Sequence, residues 1–512
     1  MAASHRVLDK FSTEHLNADL RGRSVRGGLL TLSSQGAQFL MQSVATVVLA
    51  RLLTPADFGL VAMVTAITGL GQAFADLGLS EATIQHPKIT HEQVSTLFWL
   101  NVAIGLVLTS IAAALAPVLA WFYREPRLTE ITVIVSFTFL IGGLRVQHDA
   151  LLKRQMRFRA LAIRDVMAYV VAVPLAIVLA LRGAGYWALV ALPLALNFIQ
   201  MSLSWLMVRW IPGLPRRNSQ VRSLIAFGGN VAASYLVMNV NSNADNVLIG
   251  WYWGATPLGF YSRAYNLLML PIRQLSAPAA SVAVPTFSRV QDDPGRLARY
   301  YLRAANLIMW IIAPVFGFLF VAAMPVVILA LGDQWEAAAP VFQILAIFAL
   351  GQMLVNLTVW LLVSCGESRR LLKLVLIMFP VVVGSYAIGL PFGIKGVALS
   401  GSLVLLAIFP WMLRYSYRGT ELTLKRLGRA ILCPISVALA GIGLSELILR
   451  LTAAKGIAAQ LLLTLLGFAV TFAISTMTPA VRRELAALKE VLRQSRSGAS
   501  PDLADNPILL PL

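Results

Sequence analysis

The chain has 512 residues, of which 58% are hydrophobic and only 13% are charged, and its mean hydropathy is +0.76. A soluble domain carries about 25% charged residues, so this composition excludes a soluble globular enzyme, which would have too few charged groups to cover its surface. The net charge of +19 would suggest nucleic acid in a soluble protein, but the basic residues stand at the ends of apolar runs, where they orient membrane proteins, and no nucleic-acid partner is expected.

Long apolar runs separated by short polar breaks continue along the chain after a polar segment, residues 1–24, that is predicted to be a cytosolic tail. A run of about 20 apolar residues spans a bilayer, and the pattern predicts an all-α integral membrane protein with about fourteen transmembrane helices. The predicted spans are 25–53, 58–79, 94–121, 128–147, 161–181, 186–208, 222–252, 257–285, 301–331, 338–365, 371–391, 396–416, 430–451 and 457–478.

The distribution of Lys and Arg predicts the orientation. If the N-terminus is cytosolic, the cytosolic segments hold 33 of the 42 basic residues and the outer loops hold 8, while Arg273 lies in mid-span. Cytosolic loops of membrane proteins are enriched in basic residues. We therefore expect a multi-pass protein of the bacterial inner membrane with both termini in the cytosol.

A weak internal repeat divides the predicted spans. Residues 47–50 resemble 247–250 at an offset of 200, and 186–189 resemble 396–399 at an offset of 210. Both offsets equal six spans, which predicts two parallel six-helix repeats that form two lobes around a central cavity, a known transporter plan. The predicted domains are the tail 1–24, an N-lobe 25–208, a cytosolic linker 209–221, a C-lobe 222–416, a helix pair 430–478, and a basic, partly disordered cytosolic tail 479–512.

Ionisable and amide residues inside the second-half spans are the first candidates for function, because such residues are costly in lipid and usually face a cavity or a partner. Arg273 could bind a phosphate headgroup through its guanidinium or lock two helices together. Asp245 lies among Asn239 and Asn246 and is predicted to contribute to the cavity. It could also couple transport to a proton or cation gradient, or it could simply pair with an arginine.

The first half carries weaker candidates. Gln38 and Gln42 form a polar stripe on the first span, and Gln72 with Asp76 forms another on the second. Arg51 and Asp57 bracket the first outer turn, where a local ion pair at the membrane surface is the modest interpretation.

Motifs for nucleotide hydrolysis and for a zinc protease are absent from the sequence. His86 and His91 have no metal-ligand context, and the two cysteines, Cys365 and Cys433, are far apart. No metal, cofactor or catalytic residue is therefore predicted.

Several segments resemble one family, the polysaccharide transporters of the multidrug/oligosaccharidyl-lipid/polysaccharide exporter superfamily. Those segments are 49–59 with Arg51 and Asp57, 76–79 with Asp76, 151–158, 183–189, 245–250, 258–265 and 285–289. The resemblance is closest to the colanic-acid-exporter type of flippase. It implies that the chain moves an oligosaccharide repeat unit on undecaprenyl diphosphate across the inner membrane by alternating access, with membrane lipids and a polysaccharide polymerase or co-polymerase as partners.

Three other functions remain as alternatives. A cation-coupled drug antiporter of the same superfamily usually has twelve spans and matches the loop motifs less well. A membrane-embedded polymerase or glycosyltransferase would normally carry a larger outer loop than any found here. A membrane scaffold that transports nothing would leave Arg273 and Asp245 inside the spans without a purpose.

Overall fold

The computed structural model describes residues 20–72, 78–86, 89–215, 243–454, 456–479 and 481–482, and every regular element in these ranges is a helix. They form two compact units, Met1–Gly259 and Phe260–Leu512. The first unit contains α1 Leu20–Leu52, α2 Pro55–Gln72, α3 Leu79–Gln85, α4 His91–Tyr123, α5 Arg127–Arg154, α6 Phe158–Leu181, α7 Tyr186–Val208 and α8 Ala244–Trp253.

Helix α9, Ala255–Arg289, begins in the first unit and continues in the second. The second unit then contains α10 Pro294–Val321, α11 Ala323–Leu331, α12 Ala339–Ser364, α13 Ser368–Gly389, α14 Gly393–Ser416, α15 Leu424–Thr452 and α16 Ile457–Ser475, with 3₁₀ turns at Asp333–Ala338 and Leu390–Phe392.

Ten segments of the described chain are helical, long and apolar enough to cross a bilayer, and one of them, Ser368–Ser416, combines α13 and α14. The all-helical membrane fold is therefore confirmed, whereas the count of fourteen spans and the arrangement of two repeats stay predictions. Most of the predicted seventh span, 222–252, lies outside the described residues, as do most of the two predicted tails and the end of the linker 209–221.

Trp99 and Trp121 lie near opposite ends of α4, and both side chains are exposed. Twenty-two residues separate them, which corresponds to about 33 Å along a helix axis. Tryptophan is enriched at both interfaces of a bilayer whose hydrocarbon core is about 30 Å thick. This spacing is what a spanning helix requires.

Helices α4 and α5 pack closely because small residues lie at their crossing. A methyl group on Gly105 or on Gly143 would collide with the backbone of the opposite helix, and such small residues allow close approach in membrane proteins. Beside the crossing, Gln147 Nε2 donates to Asn101 Oδ1 at 2.9 Å, and Thr83 Oγ1 donates to Gln147 Oε1 at 2.7 Å. These buried hydrogen bonds join α3, α4 and α5.

The start of the predicted linker is bound to the first unit. Trp210 is buried, and its Nε1 donates to His91 Nδ1 at 3.0 Å. Trp99 Nε1 donates to the carbonyl of Gly213 at 2.8 Å. Residues 209–215 therefore lie against the beginning of α4.

One turn geometry recurs 210 residues along the chain. The amide of Arg157 bonds to the carbonyl of Leu152, and the amide of Glu367 bonds to the carbonyl of Leu362, both at 2.9 Å. In each turn the preceding residue is left-handed. A glycine has this conformation in the second turn and Met156, with φ of 50°, has it in the first. A left-handed non-glycine residue costs about 1–2 kcal/mol, so packing must impose this turn.

The first unit also contains a reciprocal contact between two helix starts. A methyl group on Gly59 would overlap with the carbonyl of Ala255, and a methyl group on Gly259 would overlap with the carbonyl of Pro55. The two glycines are 200 residues apart, as are the two carbonyls. Only residues without a side chain permit helices α2 and α9 to approach so closely.

In the second unit, a chain of buried hydroxyl groups links three helical regions. Tyr417 Oη donates to Tyr301 Oη at 3.1 Å, and Tyr301 Oη lies 3.3 Å from Thr358 Oγ1. The last helix pair, α15 and α16, is joined by a hydrogen bond of 3.1 Å from Ser445 Oγ to the carbonyl of Thr464. These polar contacts satisfy groups that lipid could not.

Candidate functional site

A cavity of about 280 Å³ lies between α1 and the adjoining ends of α5 and α6. We call it the Arg164 cavity. Helix α1 contributes amide and hydroxyl side chains, and the opposite wall contributes charged ones. The polar residues that line it are Thr31, Ser34, Gln35, Gln38, Lys153, Arg164 and Asp165.

Arg164 lies at the wall of this cavity and is almost completely buried, with 9% of its side chain exposed. Its Nε and Nη2 donate to Asp165 Oδ1 at 2.9 and 2.6 Å. Its Nη1 donates to Asp149 Oδ1 and, at 3.2 Å, to Ser204 Oγ. The guanidinium therefore uses both of its edges.

A second arginine completes the network behind the cavity. Arg145 Nη1 donates to Gln200 Oε1, and Arg145 Nε lies 3.4 Å from Asp149 Oδ2. Gln200 Nε2 in turn donates to Asp165 Oδ1 at 3.2 Å. Together with Arg164, the network holds two arginines and two aspartates, so its formal charge is zero. Buried charges are tolerated in a membrane protein when they are paired in this way.

Lys153 adds a positive charge to the neutral network. Its side chain is exposed, and it forms no hydrogen bond or ion pair with any residue that the structure describes. An ammonium group is a compact charge that suits phosphate oxygens. The cavity therefore combines one available cation with neutral donors and acceptors on α1.

The cavity lies close to the ends of its helices. Arg164 is six residues inside α6, which starts at Phe158, and this corresponds to about 9 Å along the axis. If α6 spans the bilayer, this depth is that of lipid headgroups and not that of the hydrocarbon centre.

The neighbouring arginine, Arg154, has a different role although it belongs to the same motif, 151–158. It is buried, and its Nη1 donates to the carbonyls of Thr83 at 3.0 Å and His86 at 2.7 Å. These carbonyls end helix α3, where a positive charge is favourable. Arg154 is thus a structural residue next to a cavity residue, Lys153.

Of the first-half candidates, Gln38 lines the Arg164 cavity, while Gln42 is exposed one turn further along α1 and is not part of the lining. Gln72 ends α2, but its side chain lies outside the described part of the chain, and so does the whole of Asp76.

The first turn holds the two motif residues Arg51 and Asp57. Arg51 is exposed at the end of α1. Asp57 starts α2 by capping it, because its Oδ2 accepts hydrogen bonds from Thr54 N at 2.9 Å and from Thr54 Oγ1 at 2.7 Å. A carboxylate at a helix start is stabilising, and this accounts for Asp57 without a role in transport.

In the second unit, Arg273 is exposed near the middle of α9, and its Nη2 donates to Asn266 Oδ1 at 3.2 Å. Arg263 lies three residues before Asn266 and ten before Arg273, so all three share one face of the helix. The sequence singled out only Arg273. The other two become visible when the stripe is counted at helical spacing.

Asp245 is 4% exposed and lies at the start of α8. Its Oδ1 accepts a hydrogen bond of 2.8 Å from the amide of Asn246. Asn246 Oδ1 is buried and has no hydrogen-bond partner among the described residues. Asn239, the third member of the predicted group, lies outside them. The roles of Asp245 and Asn246 in binding or ion coupling stay predictions.

Solved structures identify the class of fold. The chain resembles a lipid II flippase, MurJ, in its inward closed conformation, with a TM-score of 0.69 and 12% sequence identity over 88% of this chain and 99% of that one. It also resembles an inward-facing multidrug resistance transporter of the MOP superfamily, with a TM-score of 0.55 and 15% identity over 77% of this chain and 99% of that one. The fold is that of a multi-pass helical membrane transporter.

The sequence identifies the family within this class. Residues 48–340, more than half of the chain, match the family described as "Polysaccharide biosynthesis protein", and the chain belongs to that family. The resemblance to the polysaccharide transporters is therefore confirmed.

Curated relatives carry related names. The teichuronic acid biosynthesis protein TuaB of Bacillus subtilis is 26% identical over 59% of this chain and 63% of its own length. The lipopolysaccharide biosynthesis protein WzxC of Escherichia coli is 25% identical over 59% and 62%. The succinoglycan biosynthesis transport protein ExoT of Rhizobium meliloti is 27% identical over 65% and 67%. The chain thus matches less than two thirds of the length of the first two.

Proposed function

We propose that this protein is a flippase that moves undecaprenyl-diphosphate-linked oligosaccharide repeat units across the bacterial inner membrane, for the synthesis of a surface polysaccharide or exopolysaccharide. The names of the relatives, which include a polysaccharide transport protein and lipopolysaccharide biosynthesis protein, support this substrate class. The fold shared with a lipid II flippase supports the same reaction, in which a lipid-linked headgroup crosses the membrane and no covalent bond is broken.

The Arg164 cavity is the observation that carries the proposal. A lipid diphosphate needs a cation at the depth of the headgroup, and the sugar attached to it needs amide and hydroxyl partners. Lys153 supplies the cation, while Gln35, Gln38 and Thr31 supply the neutral groups on the facing helix. The polyprenyl chain would stay in lipid while the headgroup occupies the cavity.

The orientation follows from the same end of the helices. The turn at 155–157, with Lys153 and Arg154 beside it, belongs to the strongly basic side of the chain, which is expected to be cytosolic. The cavity would then receive its substrate from the inner leaflet, and both termini would be cytosolic. A polymerase or co-polymerase that uses the translocated repeat unit would act on the opposite side.

Two residues outside the cavity belong to the proposal as well. Arg273, exposed on the polar face of α9, would contact the headgroup during the alternating-access cycle. The buried carboxyl of Asp245 would couple the cycle to a cation gradient. Each role is independent of the assignment of the Arg164 cavity.

The test compares two adjacent basic residues. Lys153→Ala should lower the initial rate of flipping of a fluorescent undecaprenyl-diphosphate oligosaccharide in reconstituted vesicles at least tenfold while leaving the thermal unfolding midpoint unchanged, because Lys153 has no partner among the described residues. Lys153→Arg should retain most of the rate. Arg154→Ala should instead lower the unfolding midpoint, because it removes the bonds to the end of α3.

Lys373→Ala is the matched control, since Lys373 is an exposed lysine at the start of α13 and does not line this cavity. A normal flipping rate in a folded Lys153→Ala protein would remove the cavity from the transport path. Absence of flipping by the wild-type protein in vesicles of several lipid compositions would contradict the flippase assignment itself.

A further inference from the structure

The bond between Arg164 and Asp165 has an unusual form. The edge of a guanidinium that is made of Nε and one terminal nitrogen normally grips two oxygens of a carboxylate or phosphate group. Here both nitrogens of that edge donate to the single oxygen Oδ1 of the next residue in the chain. Arg164 and Asp165 both line the cavity, so the edge that best suits a phosphate is occupied by a carboxylate of the protein.

The other contacts of the two residues would survive the loss of this bond. Arg164 Nη1 is held by Asp149 and Ser204, so the guanidinium would keep its position. Asp165 already accepts a second hydrogen bond, from Gln200 Nε2 at 3.2 Å. Because Arg164 and Asp165 are adjacent in sequence, rotation of the aspartate side chain alone can separate them without a change in the backbone.

We propose that Asp165 is an internal competitor for the substrate, and that a phosphate group entering the cavity displaces it from Arg164 onto Gln200. The proposal rests on the proposed function for the origin of the phosphate, which is a lipid diphosphate headgroup. Exchange of one anion for another keeps the buried guanidinium paired throughout, which matters because an unpaired buried charge is strongly destabilising. It also weakens binding, and weaker binding permits release on the other side of the membrane.

The test measures equilibrium binding of undecaprenyl diphosphate without sugars to the full-length protein in detergent, with inorganic diphosphate as a competitor. Asp165→Asn removes the competing charge and should tighten binding at least fivefold while slowing flipping, because release becomes limiting. Asp165→Glu retains the charge and should bind as the wild type does. Asp292→Asn, at an exposed aspartate outside this cavity, should change neither quantity.

A second variant covers a failure of Asp165→Asn to fold. Gln200→Leu retains both charges but removes the group that holds the displaced carboxylate, so it should weaken binding severalfold. Unchanged binding in a folded Asp165→Asn or Gln200→Leu protein would overturn the exchange.

The binding and flipping results separate the two proposals. If the wild type binds and flips the lipid but Asp165→Asn binds it no more tightly, the exchange is wrong and the flippase assignment stands. If the wild type neither binds nor flips it, the proposed function fails. Competition by inorganic diphosphate at millimolar concentration would support recognition of the phosphate itself, whereas complete insensitivity to it would count against Arg164 as the phosphate ligand.

Discussion

Gly59 and Gly259 each lie against the start of the other's helix, Gly59 on the carbonyl of Ala255 and Gly259 on the carbonyl of Pro55. The exchange is symmetric, and the same spacing of 200 residues relates both pairs. A contact of this kind is what two copies of one turn form when they meet face to face. It is therefore a sensitive position for stability.

Gly59→Ala should destabilise the protein, because the added methyl group has no space and forces α2 and α9 apart. Overpacking of this kind costs about 1–3 kcal/mol, which corresponds to several degrees in the thermal unfolding midpoint of the purified protein. Gly69→Ala is the matched control on the same helix, since no atom lies within 4 Å of the position where its methyl group would be. It should be neutral or slightly stabilising because alanine favours helix. Equal midpoints for the two variants would contradict the close approach.

Gln147→Leu should lower stability by about 1–2 kcal/mol, because it leaves the buried side chains of Asn101 and Thr83 without their partner. A double-mutant cycle with Asn101→Leu separates the hydrogen bond from the change in packing. The double variant should lose less stability than the two single variants added together. Strict additivity would mean that the two amides do not interact.

Arg273→Ala should reduce export of the polysaccharide to the cell surface at least tenfold without lowering the amount of inserted protein. The side chain is exposed, and its described hydrogen bond is the one to Asn266 on the same helix, so its removal should cost little stability. Export is measured by surface labelling and protein level by immunoblot. Arg289→Ala, at the end of α9, serves as the control. Normal export by Arg273→Ala would assign the residue to a local structural role.

The Glu125–Arg127 pair predicts a pH dependence of stability. The hydrogen bond from Arg127 lowers the pKa of the Glu125 carboxyl below its ordinary value of 4.5. A carboxyl with a lowered folded-state pKa stabilises the protein above the unfolded pKa and loses this contribution as the pH falls through the folded pKa. The wild type should therefore unfold slightly above Glu125→Gln at pH 7, by less than about 2 °C for a partly exposed pair.

That difference should disappear as the pH is lowered through the acid range below pH 4.5. Thermal unfolding of both proteins, followed by tryptophan fluorescence from pH 7 downward, measures it. A difference that grew towards acid would reverse the assigned sign.

The sequence predicts the helical membrane fold well, because spanning helices need long apolar runs and lipid leaves few other solutions. Gly59 and Gly259 were also visible in advance as matching positions of a repeat. By contrast, the sequence assigned Arg164 and Lys153 to a basic cytosolic loop. Helix α6 begins earlier than its apolar run, since the turn before it depends on a left-handed methionine, Met156, instead of a recognisable glycine.

The hydrogen-bonded network behind the cavity could not be predicted for a different reason. Its members come from α5, α6 and α7, and partners such as Arg145 and Gln200 are 55 residues apart in the chain. Helical spacing relates only residues on one helix. Pairing between helices depends on rotations that a single sequence does not specify.

The two tryptophans of α4 have a practical consequence for reconstitution. With a helix tilt of about 20°, which is typical of membrane proteins, the 33 Å between Trp99 and Trp121 projects to roughly 31 Å along the bilayer normal. A bilayer of that hydrocarbon thickness needs neither stretching nor thinning to meet both rings. Vesicles with acyl chains of matching length should therefore give the fastest turnover, and shorter or longer lipids should slow it through hydrophobic mismatch.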